Sequence, residues 1–302
     1  MKKNVFYLTA LAAVSATMMT SCINDENETS AGQNGEVISL TASMASETTR
    51  AKSADNLQDT QFASGKSINV EAYKTTESTI YDTKTYSVTD AAGNMSGTMT
   101  YPATGEAVDF CAYYPSDITS SSSTFSVGAT QKTEAQYQNY DLMYATKLIG
   151  KTKGTTHELT FNHALSKVIV NIVNGTGVTT ANITSLVTAV KINGTVLNAN
   201  LNISNGVITA TKGTGSATDI DITGTGASNI GVIVPQEVAA GTFITVTYNG
   251  NDYTYALPSA KTFVAANSYT YTLTLNAASI SLKSEQINPW TADIGDTKDI
   301  IL

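Results

Sequence analysis

The chain has 302 residues, enough for two domains of ordinary size, and only 14% of them are charged against roughly 25% in an average soluble domain. Its net charge is −8, so there is no excess of basic side chains to neutralise phosphates, which counts against nucleic-acid binding. Thr, Ser, Asn, Gly and Tyr stand where charges would be, as on the polar, weakly charged surfaces of exported β-proteins.

In chain order, the first segment reads as an address. Lys2 and Lys3 precede VFYLTALAAVSA, residues 5–16, an apolar run too short to span a bilayer. MTSC, residues 19–22, resembles the lipobox of bacterial lipoproteins, with Met19 where leucine is usual. It predicts removal of residues 1–21 and lipidation of Cys22. INDENE, residues 23–28, resembles the acidic surface-export signal of some Gram-negative lipoproteins, which implies an outer-membrane lipid anchor facing outward. An ordinary signal peptide cut near Ser21 would instead leave Cys22 as a free thiol. With Cys22 lipidated, the second cysteine, Cys111, has no disulfide partner and reads as a small packed residue.

Beyond residue 35 helical periodicity is nearly absent, and apolar and polar residues alternate with period 2. EVISLTASMA, 36–45, puts Ile38, Leu40, Ala42 and Met44 on one face. SETTRAKSAD, 46–55, has no strand pattern and holds Arg50, the one arginine among the 17 basic residues. KSINVEAY, 66–73, aligns Ile68, Val70 and Ala72. AVDFCAYYP, 107–115, is a strand stopped by Pro115. LTFNHALSKVIVNIV, 159–173, alternates Val168, Val170 and Ile172. Asn193-Gly194 within 190–203 and Asn249-Gly250 within 243–257 predict type I′ hairpins. SYTYTLTLNAASISLKS, 268–284, predicts two more strands, and the Ser/Thr-rich 116–126 and Gly-rich 211–227 predict loops. A composition break at 150–158 suggests the domain boundary. The expected architecture is all-β, two antiparallel β-sandwich domains in series, 51–155 and 156–302, after a signal peptide 1–21 and a pro-segment 22–50.

No constellation of residues points to catalysis. His157 and His163 are six apart with no Cys/Asp/Glu cluster to complete a metal set, so no metal or cofactor is expected. GKS at 65–67 and GKT at 150–152 lack the first glycine of a phosphate loop and read as turns. No G-x-S-x-G elbow is present, and Trp290, the one tryptophan, reads as an anchor for the last loop.

DFCAYYP, YDLMYA (140–145), LTFNHALSKVIVNI, YTYTLTL and INPW (287–290), in that order after the lipobox, resemble the fimbrillin or Mfa-like family. These are lipoprotein precursors of type V pilins and related surface proteins. The resemblance implies transthyretin-like sandwiches, arginine-specific cleavage of an N-terminal segment, and strand exchange with other pilus subunits. On that basis the cut falls between Arg50 and Ala51, in a polar stretch where proteolysis is easy. It would remove the strand bearing Ile38, Leu40, Ala42 and Met44 and leave a groove with unpaired backbone groups. The replacement strand is expected within 278–302, where Ala278, Ile280 and Leu282 alternate and the chain ends Ile300, Ile301, Leu302. The reading this favours is a structural pilus subunit. The alternative is a non-polymerised surface lipoprotein or pilus-tip adhesin that binds glycan or protein on a host or bacterial surface.

Overall fold

In the computed structural model, residues 35–45, 61–77, 79–224 and 226–290 are described. The first strands are β1 (Leu40–Met44), β2 (Ser67–Lys74), β3 (Ile80–Val88), β4 (Asn94–Ser96), β5 (Val108–Tyr114) and β6 (Thr124–Ser126). Then come a short helix α1 (Glu134–Asn139), β7 (Met143–Lys151), β8 (His157–His163), β9 (Ser166–Asn174) and a second short helix α2 (Thr180–Leu186). The remainder is all strand: β10 (Val187–Thr195), β11 (Asn198–Ser204), β12 (Val207–Lys212), β13 (Thr218–Asp221), β14 (Ser228–Ile233), β15 (Gln236–Val238), β16 (Gly241–Tyr248), β17 (Asn251–Leu257), β18 (Lys261–Phe263), β19 (Asn267–Asn276) and β20 (Ser279–Pro289).

Seven strands close on themselves in the order β1-β4-β3-β2-β5-β7-β8. Their inward side chains, among them Ile68, Val70 and Ala72 at 0% exposure, make one core. Most of the later strands form three sheets, β13-β10-β16-β17, β14-β9-β19-β20 and β12-β11-β6, around a second core. β5 is the wall between the two. Val108, Phe110, Ala112 and Tyr114 face the first core while Cys111 and Tyr113 belong to the second, so every residue of the strand is buried. A strand covered on both faces reads as a continuous apolar run rather than an alternation.

The all-β class is as expected, with differences in detail. The sheets are mixed: β1 lies parallel to β8 and β9 parallel to β19, so the wholly antiparallel expectation is corrected. Parallel pairs here come from strands far apart in sequence, which no local pattern reveals. Asn193-Gly194 is not a hairpin. β10 runs through it, with a bulge against β13 between Ile192 and Thr195 and Gly194 at φ +77°. The true neighbouring hairpin joins β11 to β12 across Asn205-Gly206, at φ +52° and +80°, the left-handed pair a type I′ turn requires. Asn249-Gly250, at +48° and +77°, turns β16 into β17 as predicted.

Short strands also interrupt both predicted loop regions, β6 at 124–126 and β13 at 218–221. Gly150 and Lys151 lie in β7, at a register shift against β5, rather than in a turn. β8 pairs within the first sheet, so the change from one set of strands to the other falls between His163 and Ser166. The halves are also stitched together, because β6 pairs with β11 and the Gln131 side chain bridges to the Val232 backbone. Both helices start on capping boxes, Thr133 with Gln136 and Thr179 with Asn182.

Candidate assembly site: the closing strand and the terminal edge strand

β1 closes the first barrel. It pairs in parallel with β8, Leu40 against His157 through Met44 against Phe161, and antiparallel with β4, Leu40 against Met95 and Thr41 against Asn94. Its period-2 pattern becomes the burial pattern: Ile38, Leu40, Ala42 and Met44 are 1–5% exposed. Backbone bonds fix it from both sides. Ile38 donates to Met99, Ala42 to Gly93 and Ala45 to Phe161, all at 2.8 Å, and His157 donates to Ser39 at 3.0 Å. Burial at this level is worth about 1.5–3 kcal/mol for each large apolar side chain, so Ile38, Leu40 and Met44 together hold β1 by about 5–9 kcal/mol before ordering costs. Without β1 the barrel would have two unpaired edges facing one slot, β4 and β8.

The slot is made for a backbone. Gly93 sits at φ +80°, and a Cβ there would lie 2.0 Å from the Ala42 carbonyl oxygen. A Cβ on Gly97 would enter the Tyr86 ring at 2.5 Å. The Tyr86 hydroxyl donates to the Ile38 carbonyl at 3.1 Å, and burial pushes its phenol up to about 12. Tyr101, whose phenol is raised by burial and then by Glu36, has its hydroxyl 2.8 Å from His157 Nε2 and donates to Thr152. The histidine thus belongs to the wall of this slot. Among the described residues no group of three His, Cys, Asp or Glu side chains could hold a metal.

The candidate replacement strand is β20, which lies on the edge of its own sheet in an antiparallel ladder with β19. Ala278 is an exposed turn residue, Ile280 is half-buried and Leu282 is 37% exposed. The ladder slips between Thr272 and Leu273: Leu282 opposes Leu273 and Ser284 opposes Thr272, so Lys283 bulges unpaired. An ion pair, Glu285 with Lys261, and the buried Trp290 hold the strand's far end. Trp290 stacks on His163, centroids 3.7 Å apart and planes at 8°, while His163 Nδ1 lies 2.9 Å from Asp141 Oδ1. It therefore ties the end of β20 to the core, and its partner sits on the first barrel.

Cys111 is buried and unpaired, and burial pushes its thiol up to about 11, which makes it inert at neutral pH. Burial pushes the Asp109 carboxyl up, but the Gly150 N–H, Lys147 and Thr75 outweigh it and hold the group below the usual carboxylate range. Cys22, Arg50, Ala51 and the tail Ile300–Leu302 lie outside the described residues. The sequence reading missed the slot's glycines and tyrosines, because Gly93, Gly97, Tyr86 and Tyr101 meet β1 only through long-range pairing.

The barrel and the sheets behind it define a fold seen in other bacterial proteins. A Bacteroides uniformis structure described as a cell adhesion protein superposes with a TM-score of 0.65, 23% identity, and 84% of this chain and 98% of that one covered. A Bacteroides ovatus structure with the same description gives 0.65, 16%, 86% and 99%. These likenesses establish the fold. The family follows from the sequence: the fimbrillin-like profile matches residues 49–290, and the chain belongs to the fimbrillin-like family. A Bacteroides uniformis protein named as fimbrium subunit Fim1C is 30% identical over 207 residues, and the match spans 66% of this chain and 66% of that relative's length.

Proposed function

We propose that this chain is a structural subunit of a cell-surface fimbria, made as two β-sandwich domains in series. It is exported as a lipoprotein through Cys22 to the outer membrane, cut between Arg50 and Ala51, and polymerised by strand exchange. The observation that carries the reading is β1. It is the strand nearest the N-terminus among the described residues, it closes the first barrel, and its four inward side chains are buried. It also precedes the one arginine of the chain, six residues beyond Met44. Cleavage after Arg50 would separate β1 covalently from the groove it fills. A strand refilling that groove would regain two ladders of backbone bonds and the same apolar seats, which is β-augmentation used to link subunits. Head-to-tail pairing of this kind builds open filaments.

Membership of the fimbrillin-like family and similarity to a relative named as a fimbrium subunit support the reading. The test is the N-terminus found on intact cells together with assembly of the purified protein. Acylated Cys22 in the precursor, Ala51 in the assembled form, and monomers only from Arg50→Ala are expected. Ladders from Arg50→Ala equal to wild type would refute strand release, and a cut protein that stays monomeric at high concentration would leave the protein as a surface binding module that never polymerises.

A further inference from the structure

We propose that this chain carries a binding site for neutral oligosaccharides in the groove along the β6–β11 ladder. The groove is a cavity of about 550 Å³, within the roughly 300–1,000 Å³ of small-molecule sites. Its lining comes from β6, from β11, from the 117–122 segment and from Thr214. The register sets Asn198 beside Ser126 and Asn200 beside Thr124, and all four residues are exposed. Strand alternation puts these four side chains on one face of the ladder, with Ala199 and Phe125 between them. β6 is also the edge strand of its sheet. The backbone bonds that flank it run from Leu201 N–H to Ser123 and from Val127 N–H to Leu197. With a period of two, the N–H and C=O of Thr124 and Ser126 therefore point away from β11, toward the open edge. An edge of three residues is too short to template a peptide strand, but it can offer these groups to a small ligand.

The chemistry of the groove selects the ligand. Asp117 is the one charged side chain among those lining it, so a phosphate, sulfate or carboxylate group would meet no cation there. Ile118 and Ala199 are buried and Phe125 is half-buried, so little apolar surface is left for a hydrophobic ligand to cover. Carboxamides, hydroxyls and one carboxylate remain. The side chains of Asn200, Thr124 and Asp117 make no hydrogen bond among the described residues. An asparagine supplies both donors and an acceptor, a threonine hydroxyl either role, and a carboxylate acceptors only. Adjacent hydroxyls on a sugar ring each donate and accept, which this set matches. The walls are in place before a ligand arrives. Asn198 Nδ2 donates to the Thr214 carbonyl at 3.0 Å, the Asn69 side chain to the Ile118 carbonyl at 2.8 Å, and the Thr119 N–H to Ser122 Oγ at 3.0 Å. Walls held in this way lower the ordering cost of binding. No lining residue belongs to β1, β4, β8 or β20, so a sugar here leaves the slot and the terminal strand free. On a fimbria the site would recur in every subunit and weak single-site binding would gain avidity, a step that alone rests on the strand-exchange reading.

The uncut full chain is titrated with maltotriose, cellotriose, mannotriose, triacetylchitotriose and N-acetyllactosamine at millimolar concentration. Sialyllactose and a heparin disaccharide serve as acidic probes. Binding is read by saturation-transfer-difference NMR, and affinity by titration of the protein's amide signals. At least one neutral probe should bind and the acidic probes should not. The double variant Asn200→Ala with Thr124→Ala should bind that probe about tenfold more weakly or worse, because two hydrogen-bonding side chains are lost. Its thermal midpoint should equal that of wild type, since neither side chain is bonded in the free chain. Thr254→Ala, exposed on β17, is the control and should bind as wild type does. Failure of every neutral probe to bind, stronger binding by the acidic ones, or equal binding by wild type and the double variant overturns the proposal. Each of these results leaves strand exchange standing.

Discussion

Replacing Leu40 by alanine should loosen β1 and leave the rest of the barrel closed. Leu40 is 2% exposed, sits between β4 and β8, and has no freedom to relax outward. Truncating such a residue costs about 2–5 kcal/mol, and at about 1.4 kcal/mol per tenfold this is a roughly 30- to few-thousand-fold rise in the population with β1 detached. Two amides report on it. Ala42 N–H donates to Gly93 and Ala45 N–H to Phe161, so both exchange with solvent only when β1 opens. In Leu40→Ala their hydrogen-exchange protection should fall by that factor, while the β2–β5 ladder, Asn69 to Lys74, keeps its own. Thr41→Ala, on the outward face, is the control and should change protection by less than about 0.5 kcal/mol. Equal protection in Leu40→Ala and Thr41→Ala would mean that inward packing does not hold β1, and the reasoning from burial would be wrong.

Gly93→Ala should also unseat β1, since the new Cβ meets the Ala42 carbonyl at 2.0 Å. Gly65→Ala, at φ +86° with open space around it, should cost only the roughly 1–2 kcal/mol of left-handed backbone, as thermal melts of the two variants will show. The Asp109 carboxyl is held low in the folded chain, so its contribution is present above the ordinary carboxylate pKa of about 4 and is lost as pH falls through the depressed folded value. Urea melts of wild type and Asp109→Asn should therefore differ at pH 7 and converge in acid. Cys111, with its thiol raised to about 11, should resist iodoacetamide at pH 7.5 in the folded chain and react on unfolding, as peptide mapping would detect.

β1 was legible because a half-buried strand with one inward face writes itself as alternation, and Ile38, Leu40, Ala42 and Met44 are its inward face. The Asn249-Gly250 turn was legible for the same local reason. Asn193-Gly194 misled because the dipeptide also suits a bulge: Gly194 alone is left-handed, and the Asn193 side chain accepts from the Thr245 hydroxyl at 2.7 Å. The helices, six and seven residues long, are too short to show a period, although the Thr133 and Thr179 capping boxes mark their starts. The slot itself was not legible. Its walls come from residues 93–101, paired antiparallel to β1, and from residues 157–161, brought to it by parallel pairing across more than a hundred residues.

The central claim is that β1 must leave before subunits join, and a disulfide tests it directly. Ser43 and Thr160 place their hydroxyl oxygens 3.4 Å apart across β1 and β8, so Ser43→Cys with Thr160→Cys should lock the strand in its slot. The locked protein, cut after Arg50 and incubated at high concentration, should stay monomeric under oxidising conditions and form SDS-resistant ladders once reductant is added. Ladders that form equally well with the disulfide intact would contradict the account.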